Sequence, residues 1–197
     1  MRLVVIHHLT LDGVMQAPGR KDEDTRGGFE HGGWSPSFGD DVMGQAMGAR
    51  LATSDGLVLG RRTYEDLLAY WNTTDSPYKD ALNNAPKHVA STTLSEPLPW
   101  PNSSLIDGDV ATAVATLKEQ PGGDLHILGS GALLATLIVQ GLIDVYMLCI
   151  HPLVLGRGRR LFDIDTVATL DLIDSTPTTT GVTIATYRPS GGDAPPA

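Results

Sequence analysis

Apolar residues along this chain come in short blocks punctuated by glycine, and the blocks alternate between continuous runs and helical spacing. Leu3 to Leu9 is an apolar run that stops at Thr10-Leu11-Asp12-Gly13, the pattern of a buried first strand entering a turn. Residues 16 to 39 are rich in glycine, proline and charge, which predicts a long functional loop rather than a regular element. Asp40 and Asp41 then precede Val42, Met43, Ala46, Met47 and Leu51 at helical spacing. Gly56 to Leu59 reads as a short strand, and Arg61 to Leu68 opens a helix directly after Gly60. His88-Val89-Ala90 is strand-like and runs into Ser91-Thr92-Thr93, and a helix is predicted over Val110 to Glu119. The same grammar recurs in Leu125 to Leu128 (strand), Gly129-Ser130-Gly131 (turn) and Ala132 to Val139 (helix). This alternation predicts an α/β fold with a mainly parallel sheet flanked by helices.

Beyond Gly141 the pattern changes. Ile143 to Ile150, Ala168 to Ile173 and Thr179 to Tyr187 read as three strands with no helix between them, which predicts an antiparallel close to the sheet. Residues 1–188 are therefore expected to form a single domain, and the proline- and glycine-rich 189–197 a disordered tail. A chain of 197 residues is long enough for one self-sufficient core.

Composition narrows the function classes. With 41% apolar and 19% charged residues the chain matches an ordinary globular protein, and its greasiest stretch, Ala132 to Ile150, is broken by Gln140, Gly141 and Asp144. Only Leu3 to Ile6 follows Arg2 before His7 and His8, too short for a secretory leader, so a cytoplasmic protein is expected. The single Cys149 excludes an intramolecular disulfide and is read as inert strand packing. A net charge of −9 opposes nucleic acid and anionic lipid, so an anionic ligand needs a local cluster of basic groups.

Two strand-turn-helix junctions meet that need, because a helix N-terminus preceded by glycine presents free N–H groups and a positive dipole end to a phosphate. In Leu59-Gly60-Arg61-Arg62-Thr63, Gly60 permits close approach, Thr63 offers a hydroxyl and two arginines add charge. In Leu128-Gly129-Ser130-Gly131-Ala132 the side chains are small enough for a diphosphate to lie against the main chain. Both junctions belong at the carboxyl ends of parallel strands, where open α/β sheets bind ligands. Neither a Walker pattern nor the third glycine of a Rossmann fingerprint is present.

Leu11-Asp12-Gly13, Leu57 to Tyr64, Val89-Ala90-Ser91-Thr92, Ile127 to Gly131 and His151-Pro152-Leu153-Val154-Leu155-Gly156, in that order, resemble the dihydrofolate-reductase-like superfamily. The branch most similar is the reductase domain of bacterial bifunctional riboflavin-biosynthesis proteins, over roughly Arg2 to Tyr187. The resemblance implies an NADPH-dependent reductase and a likeness to 5-amino-6-(5-phosphoribosylamino)uracil reductase. It implies that Gly60, Arg61, Arg62 and Thr63 hold the NADPH phosphates, with Arg61 at the 2′-phosphate. It also implies that Ser91 and Thr92 lie beside the adenosine ribose, and that Gly129, Ser130, Gly131 and Ala132 form the diphosphate turn. Asp12 and Gly13 match the element near nicotinamide and substrate, which makes Asp12 the candidate proton donor or substrate-positioning group.

The chain also departs from that branch. Val14-Met15-Gln16 follows Asp12-Gly13 where the riboflavin reductases usually place a basic residue, and there is no His-x-Glu with Pro-Cys-x-x-Cys of a zinc deaminase. Asp40 and Asp41 read either as helix caps or as the acidic grip of a dihydrofolate reductase, and a non-catalytic NADPH-binding protein would keep every motif above. His7 and His8 point to opposite faces of a strand and cannot share a metal. His31 with Asp22, Glu23, Asp24 and Glu30 reads as solvated charge. Arg157, Arg159 and Arg160 read equally as a substrate-phosphate contact, a subunit contact or a solvated turn. The expected chemistry is hydride transfer to a C=N or C=O bond of a small heterocyclic or sugar-derived substrate, with no metal or protein nucleophile. A homodimer is expected from the apolar run Val145 to Ile150 and from dimeric relatives.

Overall fold

The computed structural model describes residues 1–74, 77–163 and 167–191. Its elements run β1 (Arg2–Thr10), α1 (Asp41–Ala52), β2 (Ser54–Gly60), α2 (Arg61–Trp71), α3 (Pro77–Asn84), β3 (Lys87–Ala90), β4 (Ser103–Leu105), α4 (Val110–Glu119), β5 (Asp124–Leu128), α5 (Gly131–Val139), β6 (Val145–His151), β7 (Leu170–Pro177) and β8 (Thr183–Pro189). The strands form one mixed sheet in the order β4-β3-β2-β5-β1-β6-β8-β7. β2 pairs in parallel with β3 and β5, and β3 with β4, whereas β8 lies antiparallel to β6 and β7. The switch falls where the crossover helices stop, because neighbouring parallel strands need a long connection and antiparallel ones do not.

By its contacts the chain divides into two compact units, Met1–Val4 with Arg50–Ile143, and Val5–Ala49 with the chain from Asp144 onward. In the first, Leu57, Leu59, Tyr64, Leu82, Val89 and Trp100 form one buried cluster, with the Trp100 N–H donating to the Tyr64 hydroxyl at 2.9 Å. Two elements that the apolar pattern does not announce, α3 and β4, complete this unit. Lys87 explains where α3 stops: its buried ammonium donates to the carbonyls of Leu82 and Ala85, each at 2.6 Å, and burial pushes it down to about 8.

In the second unit the loop of residues 16 to 39 contains only two short 3-10 turns, Arg26–Gly28 and Pro36–Phe38. Trp34 pins it by donating to the Gln16 carbonyl at 2.9 Å. Asp40 is the cap: one carboxylate oxygen accepts the Met43 N–H at 2.8 Å and the other accepts the Thr179 N–H and hydroxyl at 2.6 and 2.7 Å. β6 is an interior strand, flanked by β1 and β8, and buried along its length, so Val145 to Ile150 is covered within the chain and is no free edge. Cys149 is fully buried there, its thiol pushed up to about 12. The edge is β7, which exposes Leu172 and Ile173. Pro189 closes β8 and Ser190 bonds Thr169 and Asp171; residues 192–197 of the expected tail lie outside the described residues. Among the described residues no helix is long and apolar enough to cross a membrane.

Candidate functional site

In the first unit the two glycine turns are tied to each other. The Ser130 hydroxyl accepts the Gly60 N–H and donates to the Leu128 carbonyl, both at 2.9 Å, while the Ser130 N–H donates to the Thr63 hydroxyl at 2.8 Å. Gly129 makes this possible: its φ is +54°, and a Cβ there would lie 2.9 Å from Thr63 Oγ1 and 3.0 Å from Thr63 Cγ2. Ser130 itself adopts a left-handed φ of +59° as the N-cap of α5. The first intrahelical bond of α5 runs from Leu134 N–H to Ser130 O, so the N–H groups of Gly131 and Ala132 precede the ladder. On α2, Gly60 caps with no side-chain bond. Ser130, expected as a diphosphate ligand, thus spends its N–H and hydroxyl on holding the turns in register, and Thr63 keeps only its own hydroxyl proton to give.

The parallel register sets Gly60 beside Ala90, which brings Ser91 and Thr92 to the same end of the sheet as Arg61. The Ser91 hydroxyl accepts the N–H groups of Thr93 and Leu94 at 3.1 and 3.0 Å, fixing the turn after β3, and Thr92 is exposed. Arg61 pairs with Glu65 one helical turn on, at 2.9 Å, with both side chains exposed. Arg62 is exposed beside it. The eleven residues singled out from the sequence therefore split into ten at these three turns of the first unit and one, Asp12, in the second.

Asp12 is held as a carboxylate. It accepts the Thr10 hydroxyl at 2.6 Å, the Leu155 N–H at 3.2 Å and the Gly156 N–H at 2.8 Å, and Arg160 lies 3.4 Å from it while donating to the Asp12 carbonyl at 2.8 Å. The Thr10 hydroxyl and those backbone donors push it down to about 2. Held as a carboxylate near neutral pH, Asp12 suits the substrate-positioning alternative better than the proton-donor one. What it does is join the Asp12-Gly13 turn to the 153–156 segment and hold Arg160.

One constellation has no signature in the sequence. His8 Nδ1 lies 2.9 Å from Nε2 of the buried His151, and the His151 ring makes edge contacts with Trp34 and Phe38 at centroid distances of 5.1 and 5.2 Å. Burial, with the charges of His151 and His7, pushes His8 down to about 3, and burial pushes His151 down to about 4. The four rings come from β1, the 16–39 loop and β6, too far apart in sequence for any spacing rule to join them.

Comparison with known proteins agrees with this architecture. The family model for the RibD C-terminal domain matches residues 3–184. The Bacillus subtilis (strain 168) protein YyaP is 28% identical over 144 residues, which cover 70% of this chain and 75% of YyaP. A Shewanella sp. PV-4 protein named for riboflavin biosynthesis superposes with a TM-score of 0.75 at 25% identity, over 96% of this chain and 99% of the other. Dihydrofolate reductase from Enterococcus faecalis, complexed with NADP(H), superposes at 0.59 with 15% identity over 95% and 96% of the two chains. The deaminase/5-amino-6-(5-phosphoribosylamino)uracil reductase of Thermotoga maritima gives 0.62 at 15% identity, and this chain, 96% covered, spans 56% of it. The chain belongs to the RibD C-terminal domain family and has the dihydrofolate-reductase-like fold.

Proposed function

We propose that this chain is an NADPH-dependent oxidoreductase that transfers a hydride to a C=N or C=O bond of a small heterocyclic or sugar-derived substrate, as the reductases of riboflavin biosynthesis do. The observation that carries the reading is the pair of glycine turns at the ends of β2 and β5, locked to each other by Ser130 and Thr63. A dinucleotide phosphate fits this cradle. No Cβ intrudes at Gly129, and the Gly131 and Ala132 N–H groups stand ahead of the α5 ladder at the positive end of the helix dipole. When bound, NADPH supplies the hydride.

Gly60, Gly129, Gly131 and Ala132 are assigned to the diphosphate through their backbone, with Ser130 fixing the turn, and Arg62 and the Thr63 hydroxyl lie beside it. Arg61, Ser91 and Thr92 are assigned to the 2′-phosphate. To reach it Arg61 gives up only its exposed pairing with Glu65, worth well under about 1 kcal/mol. Asp12 positions the substrate-side turn. Asp40, spent on capping α1 and on Thr179, argues against a folate grip. The membership shown above supports the riboflavin-type reading over a purely folate one. A homodimer fits the exposed apolar edge strand β7, and light scattering that gives only 20.9 kDa would sink it.

The deciding experiment titrates NADPH and NADH calorimetrically and then follows NADPH oxidation over a panel of pterins, flavin precursors and aldehydes. Saturable NADPH binding with turnover of one panel member supports the reading. Binding without any turnover supports a non-catalytic NADPH-binding protein, and no binding overturns the cofactor assignment.

A further inference from the structure

We propose that His8 is held by His151 as a neutral hydrogen-bond donor, its Nε2–H offered to the oxygen or nitrogen of the C=O or C=N bond that accepts the hydride. The role in hydride transfer rests on the reductase reading above, while the arrangement of the two rings does not. His8 stands two residues before the end of β1, and His151 is the last residue of the neighbouring β6, so the pair lies where two interior strands reach their carboxyl ends. Open α/β sheets bind ligands at such ends.

Hydrogen-bond accounting fixes which nitrogens carry the protons. His151 is almost fully buried, its Nε2 lies 2.9 Å from His8 Nδ1, and its own Nδ1 has no hydrogen-bond partner among the described residues. Burial keeps both rings neutral at pH 7, so one proton lies in the contact between them. Were that proton His8's, the proton of His151 would sit on Nδ1, a buried N–H with the Trp34 and Phe38 rings for neighbours and no acceptor. An orphaned buried N–H is rarer than an unused lone pair. The proton in the contact therefore belongs to His151 Nε2, which leaves the proton of His8 on its own Nε2. That nitrogen is neither buried nor bonded among the described residues, so the donor faces outward.

Packing alone does not account for the pair. Two apolar rings would fill the same space without an unpaired nitrogen, and titratable pairs perturbed by burial and by each other gather at functional sites. The rings that box His151 are anchored as well: Gln16, whose carbonyl takes the Trp34 N–H, donates its amide to the carbonyls of Asp24 and Arg26 at 3.1 and 2.9 Å and accepts the Arg159 N–H at 3.0 Å. The Phe38 carbonyl accepts the Thr180 hydroxyl at 2.6 Å. Negative charge gathers on the heteroatom as hydride reaches the carbon, and a donor already in place stabilises it. The heteroatom then takes its proton from water, and His8 keeps its own. Asp12, a carboxylate four residues further along, leaves this donor role open.

Long-range 1H–15N spectra of the full chain at pH 7 test the tautomers, and both imidazoles should show a protonated Nε2 with a bare Nδ1. A protonated Nδ1 on His8, or an imidazolium, would overturn the proposal whatever the activity. Steady-state kinetics with the member of the pterin, flavin-precursor and aldehyde panel that is turned over tests the role. His8→Phe should lower kcat about a hundredfold with KM within about threefold and NADPH affinity unchanged, and His8→Gln, whose amide nitrogen stands near Nε2, should recover about tenfold of that. His151→Phe should lower kcat about tenfold and mix the His8 tautomers, whereas His151→Gln, which keeps the donor to His8, should restore both. Wild-type kcat in a folded His8→Phe, or unmixed His8 tautomers in His151→Phe, would overturn the proposal. Because the spectra use the wild-type chain, a His8→Phe that fails to fold still leaves it open to refutation. A wild-type chain that turns over no panel member sinks the reductase reading itself, an outcome distinct from turnover that ignores His8.

Discussion

The turns at Gly60 and Gly129 and the turn at Asp12 are both tight, glycine-containing and placed at strand ends, yet they solve opposite problems. At Gly60 and Gly129 the lacing groups are neutral hydroxyls, Ser130 and Thr63, and the N–H groups at the start of α5 are left over. At Asp12 the N–H groups of Leu155 and Gly156 are answered by the protein's own carboxylate, with Arg160 beside it. The first arrangement has donors in want of an anion. The second carries its anion already, so a ligand arriving there meets a finished, rigid surface. The roles proposed for the two regions, one toward a cofactor and one toward the substrate-side scaffold, thus rest on where the backbone donors go.

The largest expected effect breaks the first arrangement. Gly129→Val places a branched side chain at φ +54°, against the Thr63 hydroxyl and methyl. Left-handed backbone alone costs a non-glycine residue about 1–2 kcal/mol, and the Ser130 to Thr63 bond is lost with it. NADPH affinity should fall about a hundredfold or more, equivalent to roughly 2.7 kcal/mol. Gly156→Ala, at φ +73° with open space around it, should cost only the backbone strain and leave NADPH binding unchanged. Calorimetry and urea unfolding on the two variants measure the contrast, and equal losses of affinity would erase it.

Acid comes next in size, and it acts on the second unit through His8 and His151. Both are held neutral in the fold, at about 3 and about 4 against an ordinary 6.5, so the unfolded chain binds more protons than the folded one below 6.5. Their contribution to stability is complete above pH 6.5 and is lost as pH falls toward 4 and then 3, for a total of a few kcal/mol. Asp12, at about 2, begins to matter only below about pH 4, so the interval from 6.5 to 4 belongs to histidine. His126, buried with neither ring nitrogen bonded, and His88 add to the same sign from the first unit. The urea midpoint should fall between pH 7 and 4.5, and His8→Phe with His151→Phe should flatten the slope. An unchanged slope in that double variant removes the pair from the account.

How much of this was legible in the sequence depends on range. β1, α2, α4, α5 and the antiparallel close are local patterns of period and glycine, and the structure places them within a few residues of where the pattern does. The two glycine turns were legible because their physics is local too: glycine, then a helix start. α3 and β4 were not, since α3 is short and polar and owes its end to Lys87 beyond it. Val145 to Ile150, from which a homodimer was expected, is covered within the chain, because an apolar run says that a strand is covered and not by what. The choice between the two roles of Asp12 was not legible either, its partners Leu155, Gly156 and Arg160 lying more than 140 residues away. Gln16 and the His8–His151 pair are likewise tertiary facts.

A smaller effect separates scaffold from acid at Asp12. Asp12→Asn keeps the turn geometry but removes the charge that the Leu155 and Gly156 N–H groups and Arg160 answer. It should cost about 1–2 kcal/mol of stability at pH 7, a half-buried carboxylate being partly screened. NADPH affinity should move less than twofold. Because Asp12 stays ionised throughout, no limb of the kcat/KM profile between pH 5 and 8 belongs to it, and the variant should keep the wild-type profile shape. Loss of a limb in the variant would restore the acid role.

The smallest effect concerns cofactor choice, and it tests whether the first arrangement reads phosphate alone or the 2′-phosphate as well. Arg61 shares an exposed ion pair with Glu65, so removing it takes little from the fold, and Arg61→Ala should leave stability within about 0.5 kcal/mol. The diphosphate cradle proposed at Gly131 and Ala132 does not involve it, so NADH affinity should stay within twofold. NADPH affinity should drop about tenfold, the worth of one charge-assisted bond near 1.4 kcal/mol in a solvent-exposed setting. Glu65→Ala makes the complementary case: freeing Arg61 from its carboxylate should raise NADPH affinity slightly and leave NADH untouched. Titration of both cofactors into both variants distinguishes the outcomes. Parallel losses for NADPH and NADH would mean that Arg61 serves the diphosphate, and no loss for either would pass the 2′-phosphate to Ser91, Thr92 and Arg62.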